Sequence, residues 1–171
     1  MLIERRALPL VYPLILLALC GASRPQTTTT NMSPSATVVA KCTITSFAPL
    51  AFGNYDPVVI NRSSPLDNGA NSLMIACTRG APGVSVSLDD GQNFSSPYRR
   101  MLAGGMPDTY LNYNIYTTSG YSTVWNAINT VPYASDTKAA SLLVMYGSIP
   151  GGQDATVNAS YSDMVVATVT F

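Results

Sequence analysis

The chain has 171 residues, 47% of them hydrophobic and 11% charged, with a formal net charge of +0. This length suits one domain after a short leader and is too short for two comfortable ones. The absence of a basic excess gives no support to nucleic-acid binding. The sequence contains no His, which excludes Ser-His and Cys-His catalytic pairs and disfavours a metal site.

Residues 1–22 have the pattern of a signal peptide for export. Arg5 and Arg6 precede the apolar run Leu8–Leu19, and Cys20–Ala22 supplies small residues for cleavage. The short length and two prolines argue against a retained membrane anchor. A lipoprotein signal is the weaker alternative, because Leu rather than a small residue precedes the cysteine. We therefore expect an exported protein.

Removing the leader also removes one of three cysteines and leaves Cys42 and Cys77. An even pair in an exported chain favours one disulfide. Closing a loop of about 35 residues would stabilise the fold by about 4 kcal/mol on the chain-entropy model. Two free buried thiols are the alternative, and metal binding is weaker still without His.

The segment after the leader, 23–41, is expected to be an extension of the globular domain. Ser23–Ser35 is rich in Thr and has little to bury, so we expect it to be mobile in an isolated subunit. From Met32 onward the chain alternates weakly, with one side formed by Met32, Pro34, Ala36 and Val38. The alternation leads into the first predicted core strand, and the globular domain is expected to span 42–171.

Beyond the extension, short apolar runs alternate with turn-forming residues. The predicted strands are Cys42–Thr45, Leu50–Pro57, Ser72–Cys77, Val84–Leu88, Tyr110–Tyr116, Leu142–Ile149 and Tyr161–Phe171. The polar stretch Asn61–Asn71 is predicted to be a loop, and Trp125 stands alone in a polar connector. No segment has a sustained helical period. Many short strands in one exported domain predict an all-β sandwich.

The last predicted strand is unusual because it ends on an apolar residue. One face carries Val165, Ala167, Val169 and Phe171. Chain ends commonly fray unless something holds them. A terminal strand this apolar must pair inside a sheet, or it offers an open edge to another chain. The pattern therefore indicates that the edges of the sheet matter for how this protein interacts with other chains.

No group of residues has the composition of an active site, so we predict no enzyme and no cofactor. Asp89 and Asp90 precede Gly91 and are interpreted as a solvated turn. Arg99 and Arg100 would suit an anion, but one cation facing solvent and one paired across a strand is the simpler interpretation. A carbohydrate groove is the main alternative and would be lined by Tyr110, Tyr113, Tyr116, Tyr121 and Trp125.

Several motifs, taken in order, resemble the spore coat protein U domain family. The matching segments are Cys42, Leu50–Pro57, Ile75–Gly80, Val84–Gly91, Arg99–Met101, Leu111–Tyr116, Trp125, Tyr161–Asp163 and Thr168–Phe171. They cover nearly all of the mature chain. No single segment is specific, but together they are.

The resemblance implies an immunoglobulin-like, pilin-type sandwich that lacks its last strand and has a flexible N-terminal donor segment. Such subunits form archaic chaperone–usher pili and related coats. A periplasmic chaperone lends the missing strand, and at an outer-membrane usher the extension of the next subunit replaces it. Cys42 and Cys77 match the disulfide pair of the family.

By position, the resemblance implies donor residues Met32, Pro34, Ala36 and Val38. The chaperone and acceptor edge would then be Val165, Ala167, Val169 and Phe171. Pro34 departs from the pattern, because proline has no N–H to donate to a strand ladder. The implied function is a structural subunit of a surface fibre, with a role in adhesion or biofilm. A cell or spore coat protein and a monomeric carbohydrate-binding sandwich are the alternatives.

Overall fold

The computed structural model describes residues 24–171, and the predicted signal peptide, 1–22, lies outside this range. The described residues contain strands, turns and irregular segments but no helix, and hence no helix long and apolar enough to span a membrane. The strands are β1 (Cys42–Phe47), β2 (Leu66–Cys77), β3 (Ser85–Leu88), β4 (Arg99–Ala103), β5 (Tyr110–Tyr116), β6 (Val131–Pro132), β7 (Ser141–Ile149), β8 (Tyr161–Ser162) and β9 (Ala167–Thr170).

The strands form two antiparallel sheets with the apolar core between them. The larger sheet has the order β1-β2-β7-β5-β4-β8, and the smaller one has the order β6-β3-β9. The first and last strands of the chain therefore belong to different sheets. A single buried cluster includes residues from both sheets, such as Leu111 of the larger sheet and Val86 of the smaller one.

Alternating side chains explain which strand faces enter the core. In β5, Leu111, Tyr113 and Ile115 are buried, as their period-two spacing predicts. In β3, Val86 and Leu88 are likewise buried. The prediction of an all-β sandwich is confirmed.

A disulfide joins β1 to β2 at the start of the globular domain. Cys42 lies directly opposite Cys77 in the antiparallel register, and their sulfur atoms are bonded. The linkage therefore fixes the point at which the N-terminal extension meets the sandwich.

The prediction of a strand at Leu50–Pro57 is wrong. The segment has an alternating pattern, with Leu50 and Phe52 partly buried, but it forms no ladder with another strand. The β1 ladder ends at Phe47, and Pro49 follows, which has no N–H to continue it. The alternating sequence pattern of this segment reflects side-chain packing against the core, not pairing with another strand.

The prediction of a loop over Asn61–Asn71 is only half right. The loop ends at Pro65, and Leu66 begins β2, which pairs with β7 from Leu66 opposite Ile149 onward. Polar residues can occupy this part of the strand because pairing with β7 supplies its backbone hydrogen bonds, and a bulge follows Gly69.

The last predicted strand, Tyr161–Phe171, is divided into β8 and β9. β8 pairs with β4 in the larger sheet, whereas β9 pairs with β3 in the smaller one. The four residues between them, 163–166, carry the chain from one sheet to the other. A single alternating pattern therefore spans a change of sheet.

The described part of the N-terminal extension, 24–41, has no strand, and its residues are exposed. Within the described range, residues 24–36 and residues from Thr37 onward belong to two separate structural units. In the second unit, Thr78 holds the chain just before β1: its hydroxyl oxygen donates to the Val39 carbonyl (3.2 Å) and accepts from the Lys41 N–H (3.1 Å).

Candidate functional site: an open groove in the sandwich core

A groove opens directly onto the apolar core of the sandwich; we call it the core groove. It consists of two adjoining cavities of about 500 and 400 Å³. Its first wall is residues 47–57 and its second wall is residues 155–165. Its floor is formed by Met101, Leu111, Tyr113, Ile115, Met145 and Ile149. An elongated opening with an apolar floor suits an extended peptide better than a polar small molecule.

The first wall is held by side chains rather than by a strand ladder. Leu50 and Phe52 pack against the backbone of Gly147 in β7, where an added Cβ would lie 2.6 and 2.7 Å from their side-chain atoms. A larger residue at 147 would therefore displace this wall. The Asn68 side-chain amide also donates to the Ala51 carbonyl.

The second wall follows the chain as it passes from β8 to β9. Two carboxylates fix this crossover to the turn after β3. Asp163 accepts from the Gln92 N–H (3.0 Å) and from the Tyr113 hydroxyl (2.8 Å). Reciprocally, Asp89 accepts from the Val166 N–H (2.9 Å). We call these two residues the crossover latch.

The tight approach of the crossover latch requires Gly91. Its φ is +75°, in the left-handed region that favours glycine. A Cβ built at this position would lie 2.1 Å from Asp163 Oδ2. Burial, reinforced by the hydrogen bond to Asp163, raises the pKa of the Tyr113 phenol. Tyr113 therefore remains a neutral donor to the carboxylate at physiological pH.

A buried cation ties β4 to two backbone carbonyls. Arg99 is fully buried and donates to the Asp89 carbonyl (3.0 Å from Nε) and to the Trp125 carbonyl (2.7 Å). Burial lowers the pKa of Arg99, although arginine remains protonated. The expectation of one solvent-facing and one paired arginine is wrong for Arg99, whereas Arg100 lies over the Tyr110 ring at 4.1 Å from its centroid.

β9 begins two residues after the second wall ends at Val165, and it has an unpaired strand edge. It pairs with β3 on one side, and within residues 24–171 no ladder forms on its other side. Val165, Ala167 and Val169 are partly buried against the core, as their alternation predicts, while Phe171 is 53% exposed. Unpaired N–H and C=O groups on such an edge can receive another strand.

The donor residues inferred from the resemblance lie in the exposed extension. Met32 and Val38 are 86% and 82% exposed, and Pro34 and Ala36 are also exposed. At this exposure the aliphatic side chains of the donor residues are not packed into a hydrophobic core.

The five aromatic residues considered for a carbohydrate groove do not share a surface. Trp125 is fully buried, and its indole N–H donates to the Val86 carbonyl at 2.9 Å. Tyr113 points into the core, whereas Tyr116 stacks edge-on with Tyr121. No described group of three or more His, Cys, Asp or Glu residues is placed to hold a metal.

The family of this chain follows from its similarity to known proteins. A model of the Spore Coat Protein U domain matches residues 27–168. The chain belongs to the Spore Coat Protein U domain family. The resemblance inferred from the motifs is confirmed.

Among curated relatives of this Spore Coat Protein U domain is Protein U of Myxococcus xanthus. It is 34% identical over 157 residues, which are 85% of this chain and 86% of that protein. The match therefore extends over most of both chains.

Two solved structures share the fold of this Spore Coat Protein U domain. One is a chain of the CsuC–CsuE chaperone–tip adhesion subunit pre-assembly complex from archaic chaperone–usher Csu pili of Acinetobacter baumannii, with TM-score 0.53 and 23% identity. That alignment covers 79% of this chain but 40% of the solved chain. The other is a chaperone–usher pilus, with TM-score 0.51, 13% identity and coverage of 87% and 98%.

Within this Spore Coat Protein U domain, sequence patterns missed three residues that shape the groove and its surroundings. Trp125 has a polar sequence context that does not indicate burial. Arg99 shares period-two spacing with Met101 and Ala103, which places it on the buried face of β4, but its charge favoured an exposed position. Asp163 also carries a signal: it interrupts an otherwise strand-like pattern at the point where the chain changes sheet.

Proposed function

We propose that this chain is a structural subunit of a surface fibre, assembled by a chaperone and an usher and polymerised by donor strand exchange. The observation that carries the proposal is the core groove together with the unpaired edge of β9, which follows the second wall two residues after Val165. A strand placed there would cover the apolar floor and pair with β9 at the same time, which is strand addition to a sheet edge.

The proposed donor is the extension of a neighbouring copy or of another pilus subunit. Met32, Ala36 and Val38 would enter the groove, and Pro34 would occupy a position that needs no N–H. Burial of four large aliphatic side chains would contribute about 6–10 kcal/mol, and the smaller Ala and Pro contribute less. We therefore propose a donor weaker than a run of large aliphatic residues.

Before polymerisation, the proposed partner is a periplasmic chaperone that supplies a strand to the same groove. β9 and Phe171 would be its contact, because the ladder edge and an exposed aromatic side chain occur together there. The usher would then exchange the chaperone strand for the donor. Export by the 1–22 signal and a location at the cell surface, with a role in adhesion or biofilm, complete the proposal.

A coat of resting cells is the second candidate. It is favoured by the family itself, which is defined on a spore coat protein, and by the match to Protein U. The same groove would then link subunits in a layer rather than a filament. Electron microscopy of the cell surface distinguishes these two arrangements.

The test of donor strand exchange is deletion of Ser23–Ala40. We expect the truncated subunit to fold and to remain bound to its chaperone, because the groove and β9 are intact, but not to extend a fibre. Sizing of the co-purified complex and of secreted polymers measures both. Polymers of native length from the truncated protein would refute the assignment.

A further inference from the structure

Three consecutive apolar side chains project into solvent at one end of the core groove. Val58, Val59 and Ile60 are 74%, 74% and 70% exposed. We call this segment, Val58–Ile60, the apolar knuckle. Pro57, which precedes it, lines the groove together with Val157, itself 94% exposed. The mouth of the groove is therefore bordered by an exposed apolar surface, a feature that marks interaction sites.

The apolar knuckle is held rigidly by hydrogen bonds at its base. Asp56 Oδ1 accepts from the N–H groups of Val58 (2.9 Å) and Val59 (3.0 Å). Asn61 is 2% exposed; its N–H donates to the Asp56 carbonyl (2.7 Å), and its Oδ1 accepts from the Asp56 N–H (3.0 Å). The Gly152 N–H donates in turn to the Asn61 carbonyl at 2.9 Å. A surface that is already ordered loses little conformational entropy when it binds.

The direction of the incoming strand determines what meets the apolar knuckle. The walls run antiparallel, since residues 47–52 face 161–165 and residues 50–57 face 155–161. β9 offers a ladder edge, whereas the first wall forms no ladder, so a donor antiparallel to β9 has the better hydrogen-bond geometry. Such a donor enters at the Phe47 end and leaves, with its C-terminal end, beside Pro57 and the knuckle.

The connection between a donor and its own globular domain is short. Val38 is the last proposed donor residue, and the next residue, Val39, is already bonded through its carbonyl to Thr78 of its own domain. The Thr78 N–H also donates to the Lys41 carbonyl at 2.8 Å, and the disulfide at Cys42 follows. One residue spans about 3.3–3.6 Å, so the donor's globular domain must begin at the mouth of the groove.

From this geometry we propose that the apolar knuckle packs against the globular domain of the next copy of this chain. The contact is separate from the groove and makes the joint between successive subunits stiff. In the next copy, Lys41 is bonded to Thr78 at the start of the turn after β2, and this turn carries Ala81 and Pro82. This inference rests on the proposed function, because it requires donor strand exchange.

The test compares the mature chain with a triple variant, Val58→Ser, Val59→Ser and Ile60→Ser, as fibres and as a complex with the peptide of residues 24–41. The matched control is Ile128→Ser, which removes a side chain that is 87% exposed from another hydrogen-bonded turn. In the triple variant we expect peptide dissociation within twofold of wild type, subunit dissociation at least tenfold faster, and a severalfold shorter persistence length by electron microscopy. Ile128→Ser should change none of these.

A second variant tests the same contact between subunits by changing the donor's own domain. Thr78→Val removes the hydroxyl that holds Val39 and Lys41, so it should also shorten the persistence length while leaving peptide dissociation unchanged. Unchanged stiffness in the triple variant would overturn the inference. Equal acceleration of peptide and subunit dissociation would also overturn it, and so would an effect seen only in chaperone capture. If the wild-type chain neither takes up the peptide nor forms fibres, the proposed function itself fails.

Discussion

The two flanks of the sandwich cover the same apolar core in different ways. On the closed flank, the chain supplies its own cover: Trp125 lies between the sheets, bonded to the Val86 carbonyl, and Arg99 ties the Trp125 carbonyl to the turn after β3. On the open flank, Met101 and Met145 are buried but form the floor of the open core groove. Under the proposed function, a strand from another chain would cover the open flank.

The largest expected effect tests the open flank at its ladder edge. Deletion of Thr168–Phe171 removes most of β9 and therefore the hydrogen-bonding edge that an incoming strand needs. We expect chaperone capture and periplasmic accumulation to be abolished. Thr170→Ala, at an exposed position of the same strand, is the control and should accumulate normally. Normal accumulation of the deletion variant would show that the edge is dispensable.

On the closed flank, Trp125→Ala should destabilise the fold strongly. The side chain is fully buried and its indole N–H is bonded to Val86, so the substitution leaves a cavity and an unpaired carbonyl. We expect a loss of about 3–5 kcal/mol in the free energy of unfolding. Denaturant unfolding of the chaperone-free, peptide-bound domain measures it. A loss below about 1 kcal/mol would mean that the closed flank is not a packed cover.

The crossover latch connects the two flanks, and Asp163→Ala should have an intermediate effect. It removes the acceptor for the Gln92 N–H and the Tyr113 hydroxyl. We expect destabilisation by about 1–3 kcal/mol and weaker strand uptake, because the second wall loses its fixed position. Peptide titration and unfolding are the measurements, with Asp90→Ala in the turn after β3 as the control. Equal results for both variants would contradict the role of the latch.

The smallest effect concerns the apolar knuckle at low pH. Hydrogen bonds from Val59 and Val58 lower the pKa of the Asp56 carboxyl below its ordinary value of 3.8. The ionised carboxylate therefore stabilises the knuckle fully above pH 3.8, and this contribution is lost as the pH falls through the lowered pKa. Below that pH, the protection of the Val58 and Val59 amides, measured against the intrinsic exchange rate at the same pH, should fall. Asp56→Asn should abolish the pH dependence; an unchanged profile would show that another group is responsible.

Period-two alternation predicted the interior of the sandwich but not the partners of its strands. The buried face of β5 is predictable because alternate residues share one side of any strand. The same pattern in Leu50–Pro57 arises from packing against Gly147 and not from a ladder, so alternation alone misidentified it. Alternation across Tyr161–Phe171 likewise does not reveal the change of sheet, which depends on residues distant in sequence.

The groove could be anticipated only in part. An apolar strand at the end of the chain indicated an edge that needs a partner, and the resemblance supplied the donor. The crossover latch depends on contacts such as the one between Asp163 and Gln92, 71 residues apart, which no local pattern encodes. The spacing of Arg99 with Met101 and Ala103 places it on the buried face of β4. The carbonyls that accept its hydrogen bonds could not be predicted, because they are backbone atoms distant in sequence.

Hydrogen–deuterium exchange of the β9 amides, Ala167–Thr170, tests the vacancy of the open flank most directly. The mature chain is compared with and without the peptide of residues 24–41, and a peptide with Met32, Ala36 and Val38 changed to Asp is the control. We expect the native peptide to slow exchange at β9 at least tenfold and the control peptide to leave it unchanged. Exchange that is already slow without peptide, or that does not respond to it, would contradict the account.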